Sequence, residues 1–184
     1  GSAQGRTALT AVNADVVLAW GRGGTFPDFD DRVLRSGDGG QNWSDLGEIL
    51  QADEYASGFA FTSPNPQTVV ASNGAGDVYQ SADAGLSWNR TFAAVGPRPG
   101  FFGRTAPTFA DAQTGYFGLG AGFVIKTTDA GATWSQISSG AGESLNDLAR
   151  LPDGRMIAVG EAGTVLTSDG IAPWVRQPAL SLSA

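Results

Sequence analysis

The sequence predicts an all-β fold assembled from four copies of one unit, and three observations lead there. Its 184 residues include 27 glycines, 9 prolines, 10 phenylalanines and 5 tryptophans but only 16% charged side chains, a composition suited to short strands and tight turns. An eight-residue turn motif recurs four times. Each copy follows a pair of short apolar stretches, separated in three of the four by a glycine turn.

The motif copies read Ser36-Gly37-Asp38-Gly39-Gly40-Gln41-Asn42-Trp43, Ser81-Ala82-Asp83-Ala84-Gly85-Leu86-Ser87-Trp88, Thr127-Thr128-Asp129-Ala130-Gly131-Ala132-Thr133-Trp134 and Thr167-Ser168-Asp169-Gly170-Ile171-Ala172-Pro173-Trp174. Their aspartates are 45, 46 and 40 residues apart, about the length of one four-stranded β-propeller blade. Within each repeat the strands follow in order. The innermost lie around Ala8–Val12, Gly58–Thr62, Pro107–Ala110 and Leu145–Leu151 and end in turn formers such as Ser63-Pro64-Asn65-Pro66 and Pro152-Asp153-Gly154. Second strands are expected at 16–20, 68–71, 115–119 and 155–159. The third carry Val33-Leu34, Val78-Tyr79, Val124-Ile125 and Val165-Leu166, and the motif tryptophan opens the fourth.

The four units are therefore blades at about 6–47, 48–92, 93–140 and 141–180 of a single propeller domain over 1–184, with no helix longer than two turns. Each blade uses contiguous sequence, so no strand exchange seals a ring. Three closures stay open: a four-blade ring sealed by packing, a half-ring pairing head to tail with a second copy, or a fragment whose other blades belong to another segment.

The pattern Ser/Thr-x-Asp-x-Gly-x-Ser/Thr-Trp resembles the Asp-box, or BNR repeat, of sialidases, sortilin-type receptors, xyloglucan-degrading glycosidases and photosystem II assembly factors. The third copy matches at every defined position, and the resemblance spans nearly the whole chain. It implies a propeller whose Asp-boxes sit on the rim opposite the binding face. The chemistry of the box is that of a folding device. The short Asp accepts backbone N–H bonds within a tight turn, the glycine two places on supplies a left-handed conformation, the Ser or Thr adds a hydroxyl, and the Trp buries between blades. Ser36, Asp38, Gly40, Trp43, Ser81, Asp83, Gly85, Trp88, Thr127, Asp129, Gly131, Trp134, Thr167, Asp169 and Trp174 are thus read as structural rather than as catalytic acids or metal ligands. Ile171 stands at the glycine position of the fourth copy, so that turn is expected to differ and to use Gly170.

Charge and composition exclude several function classes. A net charge of -7 argues against nucleic acid, whose binding rests on Lys and Arg at phosphates. Lys126 is the one lysine. With no cysteine and no histidine there is no thiolate nucleophile, no disulfide and no common zinc set, and no cofactor or metal is expected. No apolar run reaches membrane-span length, and Gly1-Ser2 reads as a cleavage scar, which fits an extracytoplasmic protein that has lost its leader.

Function should sit where the repeats diverge on the rim away from the motif turns. The first blade replaces the glycine turn with residues 21–32, which carry Arg22, Phe26, Asp28, Phe29, Asp30, Asp31 and Arg32. These read either as a recognition loop for a sugar or peptide, with stacking aromatics and paired acids, or as a solvated hairpin tip or an edge covered by a neighbouring protein. Asp28 to Asp31 also have the oxygen density of a weak calcium site but lack EF-hand spacing. The blade-to-blade segments add Asp53, Glu54 and Tyr55, and Arg98 and Arg104. Two functions follow from the resemblance. A non-catalytic module binding a protein or carbohydrate requires only a varied loop face. A sialidase-like or xyloglucanase-like glycoside hydrolase requires an arginine cluster, a Tyr–Glu pair and an acid that cannot be matched position by position.

Overall fold

In the computed structural model of the protein, residues 7–25, 28–47, 59–94, 106–170 and 173–178 are described. They form four antiparallel sheets, each of four consecutive strands. The first holds β1 (Thr7–Ala11), β2 (Val17–Thr25), β3 (Asp28–Ser36) and β4 (Ser44–Asp45), and the second β5 (Phe59–Thr62), β6 (Val69–Asn73), β7 (Val78–Ser81) and β8 (Asn89–Phe92). The third contains β9 (Thr108–Phe109), β10 (Gly115–Gly118), β11 (Phe123–Thr127) and β12 (Ser135–Ser138). The fourth contains β13 (Leu145–Arg150), β14 (Met156–Gly160), β15 (Val165–Ser168) and β16 (Val175–Arg176). Helix among the described residues is confined to two single 3-10 turns, Gly120–Gly122 and Glu161–Gly163.

Because side chains alternate across a strand, the second and third sheets each offer one apolar face to the sheet before and one to the sheet after. Leu18, Trp20 and Val33 of the first sheet bury against Phe59, Phe61, Ala71 and Tyr79 of the second. Trp20 meets Phe59 edge to face at 5.8 Å, and Phe59 meets Tyr79 at 5.9 Å. Val70 and Val78 on the other face of the second sheet pack with Phe117, Leu119 and Ile125 of the third. Tyr116 and Val124 then join Leu145, Met156, Ala158, Leu166 and Trp174 of the fourth. Each fully buried Leu or Val in these layers contributes about 2 kcal/mol of transfer free energy, so the three inter-sheet cores dominate stability. Among the described residues no such core joins the fourth sheet to the first.

The first sheet departs from the others at one end. In the second sheet the hairpin turns just beyond Asn73, four residues past the partner of its motif serine. The equivalent residue of the first sheet is Gly21, and there the pairing runs on through Arg22↔Asp31, Gly23↔Asp30, Gly24↔Phe29 and Thr25↔Asp28. The divergent segment, expected as a recognition loop or a hairpin tip, is therefore a regular hairpin extension of β2 and β3. Its registered backbone hydrogen bonds make it a projecting ribbon of about 13 Å at strand rise.

Candidate functional site

Antiparallel connectivity puts the β3–β4 type connections, which carry the motif, on one rim and the β2–β3 type hairpins on the other. On the motif rim the first three turns share one hydrogen-bond plan. The Ser81 hydroxyl donates to Asp83 Oδ1 at 2.7 Å and accepts the Gly85 N–H at 2.8 Å. Asp83 Oδ1 in turn accepts the N–H groups of Leu86 and Ser87 at 3.0 and 2.9 Å, while Oδ2 takes the Ser87 hydroxyl at 2.6 Å. Thr127, Asp129 and Thr133 repeat this with distances of 2.7, 2.8 and 2.6 Å. Ser36, Asp38 and Asn42 do so with an amide in place of the last hydroxyl. Each motif tryptophan closes its turn, Nε1 donating to the carbonyl of Gly40, Gly85 or Gly131.

These carboxylates have their acceptor capacity consumed inside their own turns, and their acidity reports it. The backbone and side-chain amides of Asn42, with the Ser36 hydroxyl, hold Asp38 down at about 2. Burial pushes Asp83 upward, but the Ser87 hydroxyl and N–H and the Ser81 hydroxyl outweigh it and leave it at about 2. The same competition, won by Thr133 and Thr127, lowers Asp129. A carboxyl held as the anion is poorly suited to act as a general acid.

The fourth turn corrects the sequence alignment. Ser168, not Thr167, occupies the hydroxyl position: it pairs with Met156 as Ser81 pairs with Val69, it is buried, and it accepts the Gly170 N–H at 3.1 Å. Thr167 lies one residue earlier on the other face of β15 and accepts the Gln177 amide at 2.8 Å. Gly170, at φ +82, stands where the other copies have their aspartate. The expected use of Gly170 therefore holds, but through a shift of one residue.

A second repeated device escaped the sequence reading. The residue just before the motif hydroxyl reaches across to the turn of the next sheet. Arg35 Nε donates to the Ala84 carbonyl at 3.0 Å, Gln80 to Ala130 at 3.0 Å, and Lys126 Nζ to Gly170 at 3.1 Å. Lys126 also lies 5.4 Å over the Tyr116 ring. A long donor at this position in three repeats was the available signal.

On the opposite rim the structure locates only part of the predicted site. Arg32 is in β3 and pairs with Asp45 of its own sheet at 2.6 Å. Arg22, Asp28, Phe29, Asp30 and Asp31 are placed by backbone register on the extended ribbon, and their side chains lie outside the described residues. Phe26, Asp53, Glu54, Tyr55, Arg98 and Arg104 fall outside the described residues altogether. Tyr79 and Tyr116 are buried strand residues that pack between sheets. Among the described residues there is no group of acids that could hold a metal ion, and no helix is long and apolar enough to cross a membrane.

Consecutive four-stranded meanders stacked face to face define a β-propeller array, and solved structures agree. The chain is similar to a GH74 enzyme of Niastella koreensis, with a TM-score of 0.68 and 19% identity over 93% of this chain and 29% of that one. It also resembles YCF48 bound to a D1 peptide, with a TM-score of 0.58 and 17% identity over 93% of this chain and 51% of that one. YCF48 from Cyanidioschyzon merolae gives a TM-score of 0.55 and 16% identity, covering 96% of this chain and 57% of that one. The chain thus spans between about a third and three fifths of these structures' lengths. No family model and no curated protein matches it.

Proposed function

We propose that the chain is a non-catalytic, extracytoplasmic propeller module of the Asp-box type that binds a protein or glycan ligand with the rim opposite its motif turns. One observation carries this reading. The β2–β3 ribbon projects four residue pairs beyond the point where the second sheet's hairpin turns, and it raises an acidic and aromatic stretch, Asp28 to Asp31, on that rim. The peptide-bound YCF48 among the similar folds supports a protein ligand.

The test is to shorten the ribbon by replacing residues 22–31 with Gly-Ala-Gly, the kind of turn that closes the second sheet. Binding of the chain and the variant is then compared on peptide and glycan arrays. Binding lost at an unchanged melting temperature supports the reading. Binding lost in Asp83→Ala but retained in the shortened ribbon would put the ligand on the motif rim and overturn it. The likeness to the GH74 enzyme favours a second reading, part of a glycoside hydrolase. Glycan hydrolysis by the wild-type chain that disappears in Asp30→Asn or Glu54→Gln would establish it instead.

A further inference from the structure

Of the six asparagines in the chain, Asn73 is the one that a glycine follows, and it ends strand β6 on the rim opposite the motif turns. The repeat does not call for it. The equivalent residues of the other sheets are Gly21, Leu119 and Gly160. Asn73 and Asp77, which flank the β6–β7 turn, are both buried, and Gly74 between them is half-buried.

Inside this turn the Asn73 side chain is engaged at both ends. Its Oδ1 accepts the N–H groups of Ala75 at 3.0 Å and Asp77 at 2.9 Å, and its Nδ2 donates to Asp77 Oδ2 at 3.4 Å. The Gly76 N–H closes the backbone turn on the Asn73 carbonyl at 3.0 Å. Asp77 Oδ1 in turn accepts the Ala94 N–H at 3.0 Å, and Arg90 stands 3.9 Å from Oδ2.

These contacts are the parts of an acyl-transfer site. Two N–H donors converging on one carbonyl oxygen stabilise the anion that forms when the carbonyl carbon is attacked. A carboxylate beside the amide nitrogen is placed to deliver a proton to it as it leaves. The nucleophile is the next backbone nitrogen, that of Gly74, which no side chain shields and whose attack closes a five-membered ring.

We propose that Asn73-Gly74 is a self-modification site, at which the folded turn converts its own asparagine to a succinimide and then to an acid. The Gly74 nitrogen gives up its proton and bonds to Asn73 Cγ, while the charge that builds on Oδ1 is held by the Ala75 and Asp77 N–H groups. The released proton passes through the Asp77 carboxylate to Nδ2, the Cγ–Nδ2 bond breaks, and ammonia leaves. One water then opens the ring to aspartate or to β-linked isoaspartate, with no change of oxidation state. Aspartate sets a second carboxylate where an amide donor faced Asp77, and isoaspartate lengthens the backbone opposite Phe59. Either product loosens the hold of Asp77 on Ala94, a one-way change on this rim. The proposal is independent of what the rim binds.

Peptide mass spectrometry of the full chain during incubation at neutral pH tests it, with a free peptide of residues 70–80 as the unstructured reference. Asn73 of the folded chain should convert faster than in the peptide by about tenfold or more, a gain within reach of one placed proton-transfer group. Asp77→Asn keeps an acceptor for Ala94 but loses the proton carrier, and should slow conversion by about tenfold. A thermal melt checks that this variant is folded, and the comparison with the peptide stands without it. Asn73→Asp, the product made directly, should melt below the wild type. Any of three results overturns the proposal: an Asn73 that converts no faster than its counterpart in the peptide, a folded Asp77→Asn chain that converts at the wild-type rate, or an Asn73→Asp chain that melts with the wild type.

Discussion

The third and fourth repeats are spelled alike, with Thr127 and Asp129 in one and Thr167 and Asp169 in the other, yet they fold differently. In the third, Thr127 ends β11 opposite Gly115, and Trp134 stands seven positions on. In the fourth, the hydroxyl at the equivalent rung, opposite Met156, belongs to Ser168, and Trp174 stands only six positions on. The turn is one residue tighter, and Gly170 replaces the carboxylate at its apex. What chooses between Thr167 and Ser168 is the face each presents. Leu166 must point into the core with Met156 and Ala158, so Ser168 follows it inward two residues on and Thr167 turns outward. A strand's register obeys its buried face, and a turn motif obeys the register.

That comparison can be sharpened by substitution. The largest difference is expected at the glycines. Gly131→Ala forces a side chain onto a φ of +89 and to within 2.8 Å of the β-branched Val70, and should cost about 3 kcal/mol by chemical denaturation. Gly170→Ala meets only the Tyr116 hydroxyl at 2.9 Å, the far end of a side chain that can swing, and should cost about 2 kcal/mol. Equal losses would mean that the fourth turn is as tightly seated as the third.

The hydroxyls come next. Thr127→Ala leaves a buried turn N–H and Ser168→Ala a partly buried one without its acceptor, and each should cost about 1 to 2 kcal/mol, whereas Thr167→Ala should cost under about 0.5. A Thr167 loss exceeding that of Ser168 would restore the register read from the sequence.

Acid separates the turns in another way. Asp38 and Asp83 are depressed from 3.8 to about 2, so their contribution is complete above about pH 4 and is lost as the pH falls through about 2. Asp129 is shifted in the same direction. Thermal melts between pH 5 and pH 2 should fall steeply for the wild type and less steeply for Asp83→Asn, which has no proton to take up. Parallel slopes would break this account.

A modest effect is expected at the cross-sheet stitch. Gln80→Ala removes one hydrogen bond to the Ala130 carbonyl and should cost about 1 kcal/mol. Lys126→Ala should cost slightly more, because it also strips the Tyr116 ring of its cation. Each is read from the shift of the denaturation midpoint.

Much of this molecule was legible from local pattern. Alternating apolar stretches such as Val69 to Ala71 and Met156 to Ala158, punctuated by Gly74-Ala75-Gly76 or Pro152-Asp153-Gly154, announce strands and turns because a strand has a period of two and a tight turn needs particular backbone angles. The recurrence of Asp38, Asp83 and Asp129 at blade length extends that to architecture. The hydrogen-bonded turns these acids close, one in each of the first three sheets, follow the same spacing. The candidate binding rim was legible only as a departure from the repeat at residues 21–32.

The remaining decisions are made between elements rather than along the chain. Whether that departure is a loop or a ribbon depends on the pairing of Arg22 with Asp31 and Thr25 with Asp28, which no stretch of either strand specifies alone. Whether Trp43 is buried like Trp174 or left 42% exposed depends on whether another sheet stands beside it, not on its motif. Whether Thr167 or Ser168 is the motif hydroxyl depends on Leu166 meeting Tyr116 and Val124 of the third sheet. The sequence by itself thus determined the unit, its count and the turn chemistry of the first three copies, because those are local free energies of backbone and near neighbours. The register of the fourth unit and the exposure of the outer faces were decided by tertiary structure alone, because burial is a property of two surfaces and a strand carries only one of them.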